Sequence, residues 1–282
     1  MACLRMRFPN WKKKVLTLSY DDAVIQDMRL VEILNKNGIK GTFNINSALV
    51  KDDDYVYPEN MRGRMKKSDV LKIYDGHEVA VHALTHTDLT TVPPSRATYE
   101  VIEDKRKLEE WFGYTIRGMA YPYGTFNDTV VEILKNSGIV YSRTTVSRGN
   151  FIIPEDWLRL SATCHHDSSE MPRLADEFID MEIKGIGQSA MFYMWGHSYE
   201  FDNNDNWKKI EEFAAKMGGR DDIWYATNIE IYEYVEAYGR LIFSVDGSKV
   251  YNPSALKLYF QLIEEVPVSV LLCLDEALLS VL

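Results

Sequence analysis

Cysteine is scarce: Cys3, Cys164 and Cys273 are three in number and far apart in 282 residues. That pattern gives neither a disulfide framework nor the paired thiols of a zinc knuckle. Basic charge is also in deficit, 32 lysines and arginines against 42 acids, for a net charge of −10. A broad nucleic-acid surface needs the opposite balance, so no nucleic-acid partner is expected, while a neutral sugar stays open. Long apolar runs are missing too. Met1 to Lys14 holds nothing long enough for a secretory signal, so the expected location is cytoplasmic. Val266 to Leu282 is apolar, but it is short and interrupted by Asp275 and Glu276. A membrane span takes about 20 apolar residues, so this segment reads as a packed helix or strand and no membrane contact is expected. No repeat, low-complexity run or Pro/Gly/Ser linker divides the chain. Oligomeric state is left open.

What is present is a regular alternation. Lys14–Tyr20 reads as a strand, and Ala23–Asn37 as a helix with Val24, Met28, Val31 and Leu34 on one face, stopped by Gly38. Strands over 40–46, 78–82, 116–121 and 139–145 follow, with helices over 68–74, 95–112 (Ser95 as N-cap) and 128–137 between them. Trp157–Ala162, Ala190–Gly196 and Asp222–Ala226 read as later strands. Pro172–Lys184, Asp205–Lys216 and Asn228–Tyr238 read as later helices. Some seven strand–helix units imply a mainly parallel α/β sheet, since parallel strands need crossover helices, and so many units favour a barrel. Residues 1–243 form this unit, and 244–282 are an extension of unknown role. Chemistry in such barrels sits where the strands end. The expected strand ends carry Asp21-Asp22, His82, Tyr121-Pro122-Tyr123-Gly124 and His197.

His82 and His86, four residues apart at a strand end, are a weak metal signal alone, since loop or core histidines share that spacing. Asp22 is a candidate third ligand. Adjacent Asp21 and Asp22 repel unless a cation or shared proton relieves them, whereas capping a helix takes one aspartate. His197 suits a general acid by its near-neutral pKa, but it also fits a bonded loop histidine. His77 lies at the wrong end of a strand and reads as structural. Of His165 and His166, one is expected to line the cleft, and neither is expected to bind the metal.

In order, Leu18-Ser19-Tyr20-Asp21-Asp22, His82-Ala83-Leu84-Thr85-His86, Ala120-Tyr121-Pro122-Tyr123-Gly124 and Trp195-Gly196-His197 resemble the motifs of the polysaccharide deacetylases. That family is also called the NodB-homology domain or carbohydrate esterase family four. The resemblance spans about residues 14–200 and implies a distorted TIM-like (β/α)7 barrel. It implies that Asp22, His82 and His86 hold one divalent metal, zinc by default, with cobalt, nickel or manganese also compatible. Asp21 resembles the general base, His197 the general acid, and the backbone N–H of Tyr123 the oxyanion donor.

Two departures stand out. Ala120 replaces the arginine that orients the base in the family, and Arg159 is expected to supply it, with Arg143 as second choice. Ala83 replaces the Ser/Thr that braces the histidine loop. Gly196-His197-Ser198-Tyr199-Glu200-Phe201 resembles a gellan-lyase-like subgroup. Tyr123, Trp195, Tyr199 and Trp224 are expected sugar-stacking aromatics. The expected activity is removal of acetyl groups from N-acetylated, or O-acetylated, saccharides. A metal-dependent hydrolase of a non-sugar amide and a catalytically silent saccharide-binding barrel are the alternatives.

Overall fold

The computed structural model describes residues 3–184, 187–263 and 278–281. Its first half runs β1 (Cys3–Arg7), β2 (Lys14–Asp21), α1 (Asp27–Lys36), β3 (Gly41–Ile45), α2 (Lys67–Ile73), β4 (Glu78–Val81), α3 (Pro94–Phe112), β5 (Gly118–Ala120) and α4 (Asp128–Asn136). Then come β6 (Tyr141–Ser147), β7 (Leu160–Ala162), β8 (Cys164–His165), α5 (Met171–Asp180), β9 (Ala190–Gly196), α6 (Tyr199–Asn203), α7 (Trp207–Met217), β10 (Ile223–Tyr225) and α8 (Asn228–Gly239).

The central sheet is ordered β7-β6-β5-β4-β3-β2-β9-β8, with β10 added on β2. Only Thr163 separates β7 from β8, and its N–H donates to the Tyr193 carbonyl at 2.8 Å. One short run therefore pairs with β6 on one side and β9 on the other, all parallel. That closes the sheet into the expected distorted (β/α)7 barrel.

Side-chain alternation along the strands divides the interior into two layers. Leu16, Leu18 and Tyr20 of β2 join Phe43, Ile45, Val79 and Val81 in the main apolar core, packed with Leu30 and Leu34 of α1 and Val101 and Leu108 of α3. The alternate residues form a bonded polar column within the barrel. Thr17 Oγ1 donates to Asn228 Oδ1 at 2.9 Å, Thr42 Oγ1 to Glu78 Oε2 at 2.8 Å, and Tyr141 hydroxyl to Glu78 Oε1 at 2.6 Å. The N-terminus of α8 plugs the base, where Ile229 N–H donates to Glu78 Oε2 at 3.0 Å. These buried polar groups of the column persist because each finds a partner.

Several boundaries differ from the expected ones. The α1 helix begins at Asp27, because Asp22 and Ala23 have positive φ values of 88° and 48° and break the helical path. The α3 helix begins at Pro94, so Ser95 lies inside it and is not the cap. Beyond residue 243, β11 (Ile242–Phe243) pairs with β12 (Val250–Tyr251). There β13 (Leu258–Ile263) pairs antiparallel with β1 and with β14 (Leu278–Val281). Tyr234 of α8 ties this sheet to the barrel, its hydroxyl donating to the Arg7 carbonyl at 2.6 Å and accepting from Tyr259 N–H at 2.9 Å. The expected packed segment of 266–282 is a strand over Leu278–Val281, and its remainder lies outside the described residues. Among the described residues, no helix is long and apolar enough to cross a membrane.

Candidate active site

The strand ends meet as expected at one mouth. Asp22, following β2, and His82 and His86, following β4, bring one ligand atom each to within 4.8 Å of one another. His86 Nε2 lies 3.8 Å and His82 Nε2 4.0 Å from Asp22 Oδ1. His82 Nδ1 lies 2.8 Å from the Ala120 carbonyl, which fixes its proton there and leaves the Nε2 lone pair facing Asp22. Burial lowers the His82 pKa to about 4 and also lowers that of His86, so both imidazoles stay neutral, as a metal requires. The donor set of two neutral imidazoles and a carboxylate suits a zinc-like divalent ion.

Backbone strain collects here. Asp22, Ala23, Ala83, His86 and Tyr123 all have positive φ, a conformation held only where surroundings enforce it. The histidine loop, lacking its Ser/Thr brace, is held from α3. Buried Glu100 accepts from Thr85 N–H and Thr85 Oγ1, each at 2.8 Å, and Leu84 N–H donates to the Glu100 carbonyl at 3.0 Å. Asp104, one helical turn on, accepts from His82 N–H at 3.0 Å and Ser47 N–H at 2.7 Å.

Asp21 points into the barrel beside this triad. Arg143 donates to its Oδ2, and Asn44 Nδ2 donates to its Oδ1 at 2.8 Å. Burial alone raises the Asp21 pKa, but Arg143, His82 and His197 together overcome it and hold the carboxyl at about 2. The expected role for Arg159 is thus corrected in favour of Arg143. Residues 157–159 form a short 3-10 turn, not strand, and Arg159 faces out to Asp156 at 2.8 Å and Asp128 at 2.7 Å. Arg143 pairs in register with Ala120 on the neighbouring strand, at the depth of the vacated arginine.

His197 Nε2 lies 3.7 Å from Asp21 Oδ2. On the ring's other side, Glu200 Oε2 lies 3.4 Å from Nδ1 and accepts from His197 N–H at 3.0 Å. Burial lowers the His197 pKa, but Glu200 and Asp21 outweigh it and the net shift is upward. Glu200 was not foreseen, although its place three residues after His197 on one helical turn was a usable signal. Its Oε2 also lies 3.2 Å from Nε2 of both His165 and His166. Burial works to raise its pKa, but the three histidines hold the carboxyl well below the ordinary range. His165 Nδ1 accepts from Asp167 N–H at 3.1 Å, so its Nε2 carries the proton and is a donor, not a metal ligand. Gly196 makes room for this cluster, since a Cβ there would lie 2.1 Å from His166 Nδ1. His77 braces the barrel base by accepting from Gly41 N–H at 3.0 Å.

Among the aromatics, Tyr123 is exposed with its ring 4.6 Å from that of His86, and Tyr199 lies 5.1 Å from His197. Trp195 and Trp224 correct the expectation. Trp195 is buried, with the Arg143 guanidinium 4.4 Å over its ring. Trp224 packs on Phe8 and Tyr234, 5.5 Å from each, on the strand beside the N-terminal half of β2.

Residues 9–142, just under half of the chain, match the family model described as polysaccharide deacetylase. Two relatives agree. A chitooligosaccharide deacetylase of Sinorhizobium fredii (strain NGR234) is 27% identical over 145 residues, 50% of this chain and 59% of that protein. One of Bradyrhizobium sp. (strain ANU 289) is 27% identical over 131 residues, 46% of this chain and 52% of that protein. The chain thus spans little more than half the length of these relatives. A solved Mycobacterium smegmatis protein, provisionally described as a polysaccharide deacetylase, shares the fold with TM-score 0.59 at 17% identity, over 83% of this chain and 94% of that one.

Proposed function

We propose that the protein is a metal-dependent hydrolase that removes acetyl groups from N-acetylated, or O-acetylated, saccharides. The observation that carries this is Asp21, held ionised inside the barrel by Arg143, between His197 and the Asp22–His82–His86 cluster. Within the family we assign it to the gellan-lyase-like group on the wording of its motifs. An ion on Asp22, His82 and His86 would supply Lewis-acid polarisation and a water nucleophile at neutral pH, with zinc the first choice.

The protein's own groups do the rest. Asp21, kept unprotonated by Arg143, accepts the proton of the attacking water. Tyr123 offers its backbone N–H to the oxygen of the tetrahedral intermediate. His197, oriented by Glu200, presents Nε2 to the leaving group and returns a proton to it as the carbon–nitrogen bond breaks. Tyr123 and Tyr199 flank the opening as faces for a sugar ring. A motif without its arginine would by itself suit a silent binding barrel, but Arg143 provides a guanidinium to Asp21, which supports the catalytic reading.

The test is acetate release from a panel of N- and O-acetylated saccharides with zinc or cobalt, and with chelator. Release abolished by chelator and by Asp21→Ala supports the proposal. No release from any member, by protein with metal bound stoichiometrically, would sink it and point to a non-sugar amide or a binding barrel.

A further inference from the structure

Asp22 already has a cation beside it. Arg64 Nη1 lies 2.8 Å from Asp22 Oδ1, and the same nitrogen donates to the Asp22 carbonyl. Neither side chain is at the free surface, with 20% of the arginine and 12% of the aspartate exposed. The main chain delivers this arginine. Ile25 N–H donates to the Gly63 carbonyl and Met65 N–H to the Ala23 carbonyl, each at 2.9 Å, and Val24 bridges Arg64 antiparallel. A residue from the long connection after β3 is thereby stitched to the residues that follow Asp22. A stray surface ion pair has no such anchorage.

The contact falls on a particular atom. Asp22 Oδ1, which meets Arg64, is also the oxygen that faces His82 Nε2 at 4.0 Å and His86 Nε2 at 3.8 Å. An ion held by those three residues would share that oxygen with the guanidinium. Two positive groups on one atom repel strongly where water is largely excluded. Arg64 also neutralises Asp22 without any ion, which stabilises the metal-free site. Both effects act in the same direction.

We propose that Arg64 sets the metal affinity of the site: it stands in for the ion on Asp22 when the ion is absent, and weakens the ion's binding by competing for the same oxygen. This rests on the reading of Asp22, His82 and His86 as metal ligands. Arg64 is a positioning residue here and takes no part in bond making.

The test is zinc affinity of the full chain, measured by competition with a chromophoric chelator, which needs no substrate. Arg64→Gln removes the charge and keeps a polar side chain, and it is expected to bind zinc at least about tenfold more tightly, the scale on which outer groups tune metal sites. Arg64→Lys keeps the charge and is expected to stay near the wild type. Equal or weaker binding by Arg64→Gln would overturn the proposal and make Arg64 a simple brace. So would an Arg64→Lys variant as tight as Arg64→Gln, since charge would not be the cause. Should Arg64→Gln not fold, the wild type still decides: its Arg64 guanidinium resonances are expected to shift on zinc addition, and unchanged signals would overturn the competition. Absence of zinc binding by folded wild type and Arg64→Gln alike would remove the metal reading itself, and this proposal with it.

Discussion

Replacing Arg143 by methionine should be among the most damaging single changes in the barrel. The guanidinium and Asp21 are both almost wholly buried, with side chains 1% and 3% exposed. A carboxyl moved from 3.8 to about 2 contributes about 2 kcal/mol of stability at neutral pH. The shift is downward, so this contribution is complete above pH 4 and fades as pH falls towards 2. Removing Arg143 cancels that term and also leaves the burial of a carboxylate opposed only by neighbouring histidines and Asn44. Breaking a buried pair from one side costs about 3–5 kcal/mol, and we expect Arg143→Met to lie in that range. Arg159→Ala, whose partners are largely solvated, should lose no more than about 1 kcal/mol. Urea denaturation at pH 7 with chelator present isolates these effects from metal binding. The double variant Asp21→Asn/Arg143→Met should be more stable than Arg143→Met alone, because no unpaired charge remains. The reasoning is refuted if the double variant is no more stable than the single one, or if Arg159→Ala proves the costlier change.

Three further outcomes follow from the same geometry. Burial raises the Glu78 pKa to about 7 despite bonds from Tyr141, Ile229 and Thr42, so its folded form favours the proton and wild-type stability falls as pH rises from 4.5 to 7. Relative to Glu78→Gln, the wild type should lose up to about 3 kcal/mol across that window, and parallel urea midpoints would contradict this. Removing the Glu100 brace of the histidine loop by Glu100→Ala should weaken zinc binding about 10- to 100-fold, as read by chelator competition. Glu200→Gln should slow acetate release about 10- to 100-fold while zinc affinity stays unchanged. A matching loss of zinc affinity would mean that Glu200 merely holds the mouth together.

The parts of this molecule legible in its sequence were those written in local pattern. The β2 run ends in Asp21-Asp22 because an apolar alternation stops there, and that is visible along the chain. The same holds for His82 before its loop and for His197 after Gly196. Pairing across strands was harder to see. Arg143 sits beside Ala120 only through strand register, whereas Arg159 looked inward only as long as Trp157–Ala162 was taken for one straight strand. Glu100 holds the loop from a helix that begins after it, and Arg64 reaches Asp22 through a backbone bridge. Neither contact has a periodicity to betray it. Trp195 and Trp224 show the same limit, since an aromatic in a strand reads alike whether it lines an opening or fills a wall.

The closing run of the barrel is like a short stave in a cask. It pairs with β6 at Arg143↔Leu160 and Ser147↔Ala162, with a shift between them, and with β9 at only Cys164↔Met194 and His165↔Trp195. By contrast, β2 and β9 march together from Lys14↔Ala190 to Tyr20↔Gly196 without a break. Asp21 ends one of these two staves with Asp22 just after it, and His197 follows the other. Asp21 and His197 thus stand at the ends of two strands joined over seven consecutive pairs, which fixes their spacing.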